Sequence, residues 1–98
     1  MIIDFTPKFL KDYKRLKHKH WEMSKLDYLL GLLQNKDKKA IPLKYHDHQI
    51  KSYKEIWEIH VIKRNDDWLV LYRQRGKKIV LLATGSHDYI FKKVLKNC

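Results

Sequence analysis

Residues 53–62, YKEIWEIHVI, carry the alternating pattern that decides the fold. Trp57 and Ile59 fall on one side of an extended chain, whereas Glu58 and His60 fall on the other. Side chains of a β-strand point alternately to its two faces, so this pattern predicts a strand with one apolar face. An apolar sheet face must be covered by a second layer, and the flanking segments have to supply it.

Two further strands are predicted downstream. They are residues 67–74, DWLVLYRQ, and residues 78–84, KIVLLAT, with the tight turn RGKK between them. The last of these strands is apolar on both faces, which predicts a central strand covered on both sides. The segment that follows, residues 86–97, is predicted to be a turn or a short helix.

The covering layer is predicted upstream. Residues 1–4 form a short apolar run typical of an edge strand, and Thr6 followed by Pro7 is a typical helix start. A second helix with a leucine-rich face begins near Ser24, and the short connection predicts an antiparallel pair. The polar segment that follows the second helix, residues 34–52, contains Pro42, which excludes a helix through it. We therefore expect one α+β domain over residues 1–98: a short N-terminal strand, an antiparallel helical hairpin packed on an antiparallel sheet, and a C-terminal turn or short helix.

The charge balance indicates a polyanionic partner. Lys and Arg together number 22 against 11 Asp and Glu, which gives a net charge of +11. Nucleic acid, an anionic membrane surface or an acidic protein would each suit such a domain. The alternative is a lysine-rich surface that serves solubility alone. No segment approaches the roughly 20 apolar residues of a membrane-spanning helix.

Cysteine usage and the N-terminal residues both indicate a cytoplasmic protein. Cys98 is the single cysteine, which excludes an internal disulfide and a four-cysteine zinc site and suits a reducing compartment. The N-terminal residues MIIDFTPKF lack the basic segment and long apolar run of a signal peptide.

Six histidines raise the question of a metal site. His18 and His20 are two positions apart near a helix end, where side chains point in different directions. His46 and His48 share a side only if their segment is extended. Without a cysteine partner or an HExxH pattern, we predict no metal ligands and no cofactor.

The same residue types suit metal-free RNA cleavage. Imidazole groups can serve as acid or base near neutral pH, basic side chains stabilise phosphoryl charge, and an aromatic ring can hold a base. The C-terminal half supplies all three kinds of group, with His48, His60 and His87 beside Trp68 and Phe91.

Three segments taken together carry a family resemblance. In order, DHQIKSYKEIWEIHV, DDWLVLYRQ and LLATGSHDYIF resemble the RelE superfamily of bacterial toxins, and its YafQ branch above all. The resemblance implies a RelE-like fold and an endoribonuclease that cuts mRNA in the ribosomal A site. It also implies an acidic antitoxin of the DinJ or RelB type as partner, together with the ribosome and mRNA.

The resemblance assigns roles to individual residues. The Asp-His pair before the sheet places His48 as an acid or base, and the histidines that match the strand end and the Thr-Gly-Ser-His motif are His60 and His87. Asp67, from the Asp-Trp match, would orient a histidine or transfer a proton. Phe91 matches the aromatic residue on which a base stacks.

Trp68 could serve the site or the core, and Phe91 could equally pack a terminal helix. Trp57 is most simply a core residue.

The sequence also departs from the family pattern. Ala83 stands where many relatives have an arginine, and the length of the turn leaves open whether Asp66 or Asp67 is the family aspartate. A cation must come from elsewhere, and the candidates for this role in RNA binding are Arg73 and Arg75, followed by Lys63 and Arg64.

Two other functions remain open at this stage. One is a ParE-like inhibitor of DNA gyrase that is not an enzyme. The other is a basic module that binds RNA or the ribosome with weakened or lost catalysis.

Overall fold

The structure, a computed structural model, describes residues 1–97, and Cys98, on which the expectation about disulfides depends, lies outside them. Its helices and strands are, in chain order, β1 (Ile2–Phe5), α1 (Pro7–His18), α2 (Met23–Gln34), β2 (His48–Gln49), β3 (Ile56–His60), β4 (Leu69–Arg75) and β5 (Lys78–Gly85). A π-helical segment, Tyr89–Val94, and a 3₁₀ turn follow β5. The predicted α+β class is confirmed.

The start of α1 follows the sequence signal. Thr6 has extended backbone angles, and its hydroxyl accepts the N–H of Phe9 at 3.1 Å, while Pro7 occupies the first helical position. The second helix begins one residue before Ser24, the residue expected to cap it. Ser24 lies inside α2, which begins at Met23 with Glu22 preceding it.

All five strands form one sheet in the order β1-β5-β4-β3-β2. The strands β3 to β5 are antiparallel, as predicted, and β2 joins β3 in the same sense, but β1 pairs with β5 in parallel. The two helices between β1 and the later strands make this crossover possible. The two-residue strand β2 was not predicted, because two residues carry no periodic signal.

Apolar residues cover both sheet faces. The face packed against α1 and α2, here the helical face, holds Ile59, Val70, Tyr72 and Leu81 among its buried residues. The opposite face, here the outer face, is covered by the C-terminal segment, and its buried residues are Ile56, Leu69, Leu71, Ala83, Ile90, Val94 and Leu95. The central position predicted for the third strand is confirmed, since β5 lies between β1 and β4.

In residues 1–97 neither long helix meets the length and apolarity that crossing a bilayer demands.

Candidate active site

Strand register brings two histidine-bearing segments to one end of the sheet. His60 ends β3 and pairs with Leu69 of β4, which in turn pairs with Gly85 at the end of β5. Adjacent strands lie about 4.8 Å apart, so the backbones of His60 and Gly85 are roughly 10 Å apart. His87 follows two residues later. His60 and His87 therefore lie at the same end of the sheet.

The 46–48 loop adds two more imidazoles to this end of the sheet. His46 has a left-handed backbone, and its carbonyl accepts from Nδ1 of His48 at 2.8 Å. The ring centroid of His46 lies 4.1 Å from that of His48 and 5.8 Å from that of His60. A carbonyl oxygen can only accept, so Nδ1 of His48 carries the proton and the lone pair of the neutral ring lies at Nε2.

Glu58 is the carboxylate of this site, and sequence reasoning missed its role. It pairs with His48 across β2 and β3, and its Oε1 lies 4.0 Å from Nε2 of His48. The side chain is buried, and burial raises its pKa above 4.5, although the nearby His48 and His87 partly oppose that shift. A carboxyl group held in this way retains a proton more readily than an exposed one.

His60 is the buried base candidate of the site. Only 7% of the residue is exposed, and within residues 1–97 its Nδ1 has no hydrogen-bond partner. Burial lowers its pKa below 6.5, and the backbone of Tyr45 opposes this while His46, His48 and His87 add to it. His60 is consequently neutral at pH 7. Burial also lowers the pKa of His46, with smaller contributions from His48 and Arg64.

The rim of the site is formed by His87, which is exposed, and Phe91, which is partly buried against the outer-face core. Their ring centroids are 4.5 Å apart, as expected for positions one helical turn apart. Oδ1 of Asp67 accepts the backbone N–H of His87 at 2.6 Å, so Asp67 positions the main chain of His87. Asp66 instead donates its own N–H to the carbonyl of Lys63 within the turn. Of the two aspartates, Asp67 is the one that contacts the site.

The structure places Trp68 in the core, one of the two roles left open for it, and not on the surface where RNA could contact it. The residue is 5% exposed, its Nε1 donates to Oγ1 of Thr84 at 2.9 Å, and its ring packs edge-on against Trp21. The signal was present in the sequence, because Trp68, Val70 and Tyr72 alternate on one strand face. Trp57 is half-buried on the helical face, in keeping with the core role predicted for it.

The arginines expected near the nucleotide lie elsewhere. Arg75 pairs with Glu55 at the far end of β4, six residues or about 20 Å from Leu69, which is too far to contact the same nucleotide. Arg73 lies on the exposed outer face, lining a cavity of about 710 Å³ away from the histidines. Arg64 is better placed, since it lines a cavity of about 400 Å³ together with His46 and Asp47.

Ala83 is fully buried on the outer face beside Leu71 and Ile90. The position that carries an arginine in many relatives therefore offers only a methyl group to the core.

Among residues 1–97 no three histidine, cysteine or acidic side chains are grouped so that they could hold a metal ion.

Comparisons with known proteins point to one family. A family model described as the bacterial toxin of a type II toxin-antitoxin system, YafQ, matches residues 1–92. An mRNA interferase toxin YafQ from Escherichia coli BL21-DE3 is 33% identical over 90 residues, covering 91% of this chain and 94% of that protein. The toxin in the crystal structure of the E. coli DinJ-YafQ complex superposes with a TM-score of 0.79 at 33% identity, covering 91% and 96%. A crystal structure of YafQ from E. coli BL21(DE3) gives the same TM-score at 32% identity, again covering 91% and 96%.

Proposed function

The chain belongs to the YafQ family of bacterial toxins of type II toxin-antitoxin systems, and we propose that it inhibits translation by cleaving mRNA on the ribosome. The activity as an mRNA interferase follows the name that its E. coli relatives carry. One observation supports the chemistry best: His46, His48, His60 and Glu58 converge on one patch, with His87 and Phe91 at its rim.

The proposed reaction is attack of a ribose 2′-hydroxyl on the adjacent phosphorus. A base removes the hydroxyl proton, the bond from phosphorus to the 5′-oxygen breaks, and an acid protonates that oxygen. The products are a 2′,3′-cyclic phosphate and a 5′-hydroxyl. The reaction therefore needs one base and one acid, and imidazole groups can serve as both.

The environments of the histidines suggest how the two roles are divided. Nδ1 of His48 contacts the carbonyl of His46, which leaves Nε2 facing the site, and burial lowers the pKa of His60, so we place the base on this buried side. His87 is exposed at the rim and serves as the acid. Phe91 stacks on the base of the bound nucleotide, and its contact with His87 brings the acid to that nucleotide.

The phosphoryl charge needs a cation that Ala83 does not provide. Arg64 is the best-placed candidate, because its charge already acts on His46. Cleavage weaker than that of relatives with an arginine at position 83 would agree with this substitution.

The charge of the chain suits the proposed partners. An acidic antitoxin of the DinJ or RelB type would neutralise part of the +11 charge, and the E. coli relative is seen in complex with DinJ. The exposed lysines of α1, which are Lys8, Lys11, Lys14 and Lys17, suit phosphates of ribosomal RNA. Binding to the ribosome, action in its A site and location in the cytoplasm are parts of the same proposal.

The test is induced expression without antitoxin, followed by mapping of transcript ends. We expect growth arrest and new 5′-hydroxyl ends within codons of translated mRNA, and loss of both in His87→Ala. His18→Ala, a histidine change at the end of α1, is the matched control and should cleave normally. Full toxicity of His87→Ala would contradict the role of His87. Blocked DNA replication with intact mRNA would instead indicate a ParE-like gyrase inhibitor, and ribosome binding without new ends would indicate a binding module.

A further inference from the structure

Lys36 is a mostly buried cation that the reaction described above does not use. It lies in the turn after α2, and its side chain is 16% exposed. Its Nζ lies 2.8 Å from Oδ2 of Asp47, 2.9 Å from the hydroxyl of Tyr72 and 2.8 Å from Oε1 of Gln74. An ammonium group has three N–H donors, so all of them are used. The Trp57 ring covers the remaining side, with its centroid 3.6 Å from Nζ.

Asp47 is the residue that this cation holds. Its side chain is 7% exposed, and its second oxygen accepts a hydrogen bond from the hydroxyl of Tyr72. Burial and the Asp47 carboxylate raise the pKa of Tyr72, so the phenol stays protonated and donates. The carboxylate is thus fixed from two sides by Lys36 and Tyr72.

Asp47 lies between the two histidines of the 46–48 loop. The strand that follows is only two residues long, so its ladder alone provides few hydrogen bonds to hold the loop. Successive side chains of extended backbone point to opposite sides, so an anchor on the side of Lys36 leaves the His48 ring facing Glu58. The left-handed backbone of His46 and the contact of its carbonyl with His48 complete the geometry.

We propose that Lys36 is a positioning residue of the ribonuclease site, which fixes the rings of His46 and His48 through Asp47. The inference rests on the proposed function for its effect on cleavage, whereas its structural half stands on the contacts alone. Lys36 acts through Asp47 and not through the reacting atoms. Its loss should lower the rate of cleavage and leave RNA affinity nearly unchanged.

The experiment compares Lys36→Met with Lys38→Met in the full chain. Methionine keeps the apolar contact with Trp57 and removes the charge, and Lys38 is an exposed lysine of the same turn. We expect the single-turnover rate of mRNA cleavage on ribosomes to fall roughly 100-fold in Lys36→Met, the scale of a misplacement of about 1 Å. Binding should change less than about twofold. Lys38→Met should match the wild type in both.

Imidazole NMR resonances provide a readout that does not require cleavage. The shifts and titration curves of His46 and His48 should change in Lys36→Met, whereas those of His87 should not. If the wild type fails to cleave mRNA, the proposed function is wrong, but the resonances still decide whether Lys36 positions the loop. Unchanged resonances of His46 and His48 in a folded variant would overturn the inference.

A second variant distinguishes the loss of loop positioning from a loss of folding stability. Lys36→Met leaves a buried carboxylate without its cation, which is strongly destabilising. The double variant Lys36→Met/Asp47→Asn removes that charge, so it should unfold closer to the wild type while its cleavage stays impaired. Cleavage at the wild-type rate by the double variant would overturn the inference even if Lys36→Met does not fold.

Discussion

Besides His60 on β3, two histidine-bearing segments border the candidate site, and the protein holds them in different ways. The 46–48 loop joins the sheet through a two-residue strand, and its Asp47 forms an ion pair with Lys36. The 84–87 turn continues an eight-residue strand, and two carboxylates bind its backbone: Asp12 accepts the N–H of Thr84 at 3.1 Å, and Asp67 accepts that of His87. The backbone of the 84–87 turn is therefore fixed by a long strand and two carboxylates, whereas the 46–48 loop is held mainly by the side-chain contacts of Asp47.

Of the two carboxylates that bind the 84–87 turn, Asp12 on α1 makes more contacts. Asp12 is 2% exposed and also accepts from the hydroxyl of Tyr89 at 2.6 Å and from Arg15 at 2.8 Å. The guanidinium of Arg15 in turn lies over the Tyr89 ring, 4.5 Å from its centroid. A single carboxylate therefore joins α1, the end of β5 and the C-terminal segment.

The largest expected effect comes from Asp12→Ala. It leaves three donors without their acceptor, one of them a buried backbone N–H, so we expect the free energy of unfolding to fall by about 3 kcal/mol. Urea denaturation measures this. The control Asp88→Ala removes only an exposed pair with Lys92 and should leave stability unchanged. Equal losses of stability in both variants would contradict the role of Asp12 in holding the 84–87 turn.

Gly85→Ala should have the next largest effect. A Cβ at this position would lie 2.7 Å from Cδ2 of Tyr89 and 3.3 Å from Nη2 of Arg15. Tyr89 must then move away from Asp12, which we expect to cost about 1–3 kcal/mol and to displace His87. Gly31→Ala is the matched change, since nothing lies within 4 Å of its added Cβ, and in mid-helix it should stabilise by roughly 1 kcal/mol. In thermal unfolding, the midpoint temperature should fall for Gly85→Ala and rise for Gly31→Ala. A fall in both variants would contradict the packing argument.

Tyr72→Phe tests the weaker attachment. It removes two hydrogen bonds of the hydroxyl, one donated to Asp47 and one accepted from Lys36, but keeps the ion pair between Lys36 and Asp47, so the loss of stability should be about 1–2 kcal/mol. Amide hydrogen exchange should accelerate at His48 and Gln49 and stay unchanged at Thr84. Equal acceleration in both segments would mean that they open together and are not held separately.

The smallest expected effect is a change in pH dependence. The pKa of His60 is lowered in the folded state, so below pH 6.5 the unfolded chain takes up a proton that the folded chain does not. Stability should therefore fall on acidification from pH 6.5 towards the folded pKa, by at most about 1.4 kcal/mol per pH unit. His60→Gln should remove this slope. Glu58 has the opposite sign, because its raised pKa makes the folded state more stable as pH falls towards 4.5. Denaturation series of His60→Gln and Glu58→Gln that fail to diverge would contradict both assignments.

Sequence reasoning named a histidine in each segment, His48 in the 46–48 loop and His87 in the 84–87 turn, but only His87 could be placed directly after a predicted strand. The apolar run of β5 followed by Thr-Gly-Ser-His is a continuous signal, so strand, turn and His87 could be placed together. Glu58 was assigned to the polar face of a strand, but nothing local showed that the C-terminal segment covers that face. Burial there depends on residues more than thirty positions away.

Lys36 could not be distinguished from the other lysines by sequence. Its partners Asp47, Trp57, Tyr72 and Gln74 come from the loop before the sheet and from two strands, and only the register of β3 with β4 brings them together. Trp68 is a different case. The family match of the Asp-Trp pair favours a site role, whereas the alternation with Val70 favours the core face on which the residue lies.

The stacking of Lys36 on Trp57 also gives the protein an optical signal. The emission wavelength of an indole depends on charges close to its ring, and the ammonium group lies 3.6 Å from the centroid of this one. In a Trp21→Phe/Trp68→Phe background, fluorescence would come from Trp57 alone. A shift in its emission wavelength would then report in real time when a ribosome or an antitoxin disturbs the contact between Lys36 and Trp57.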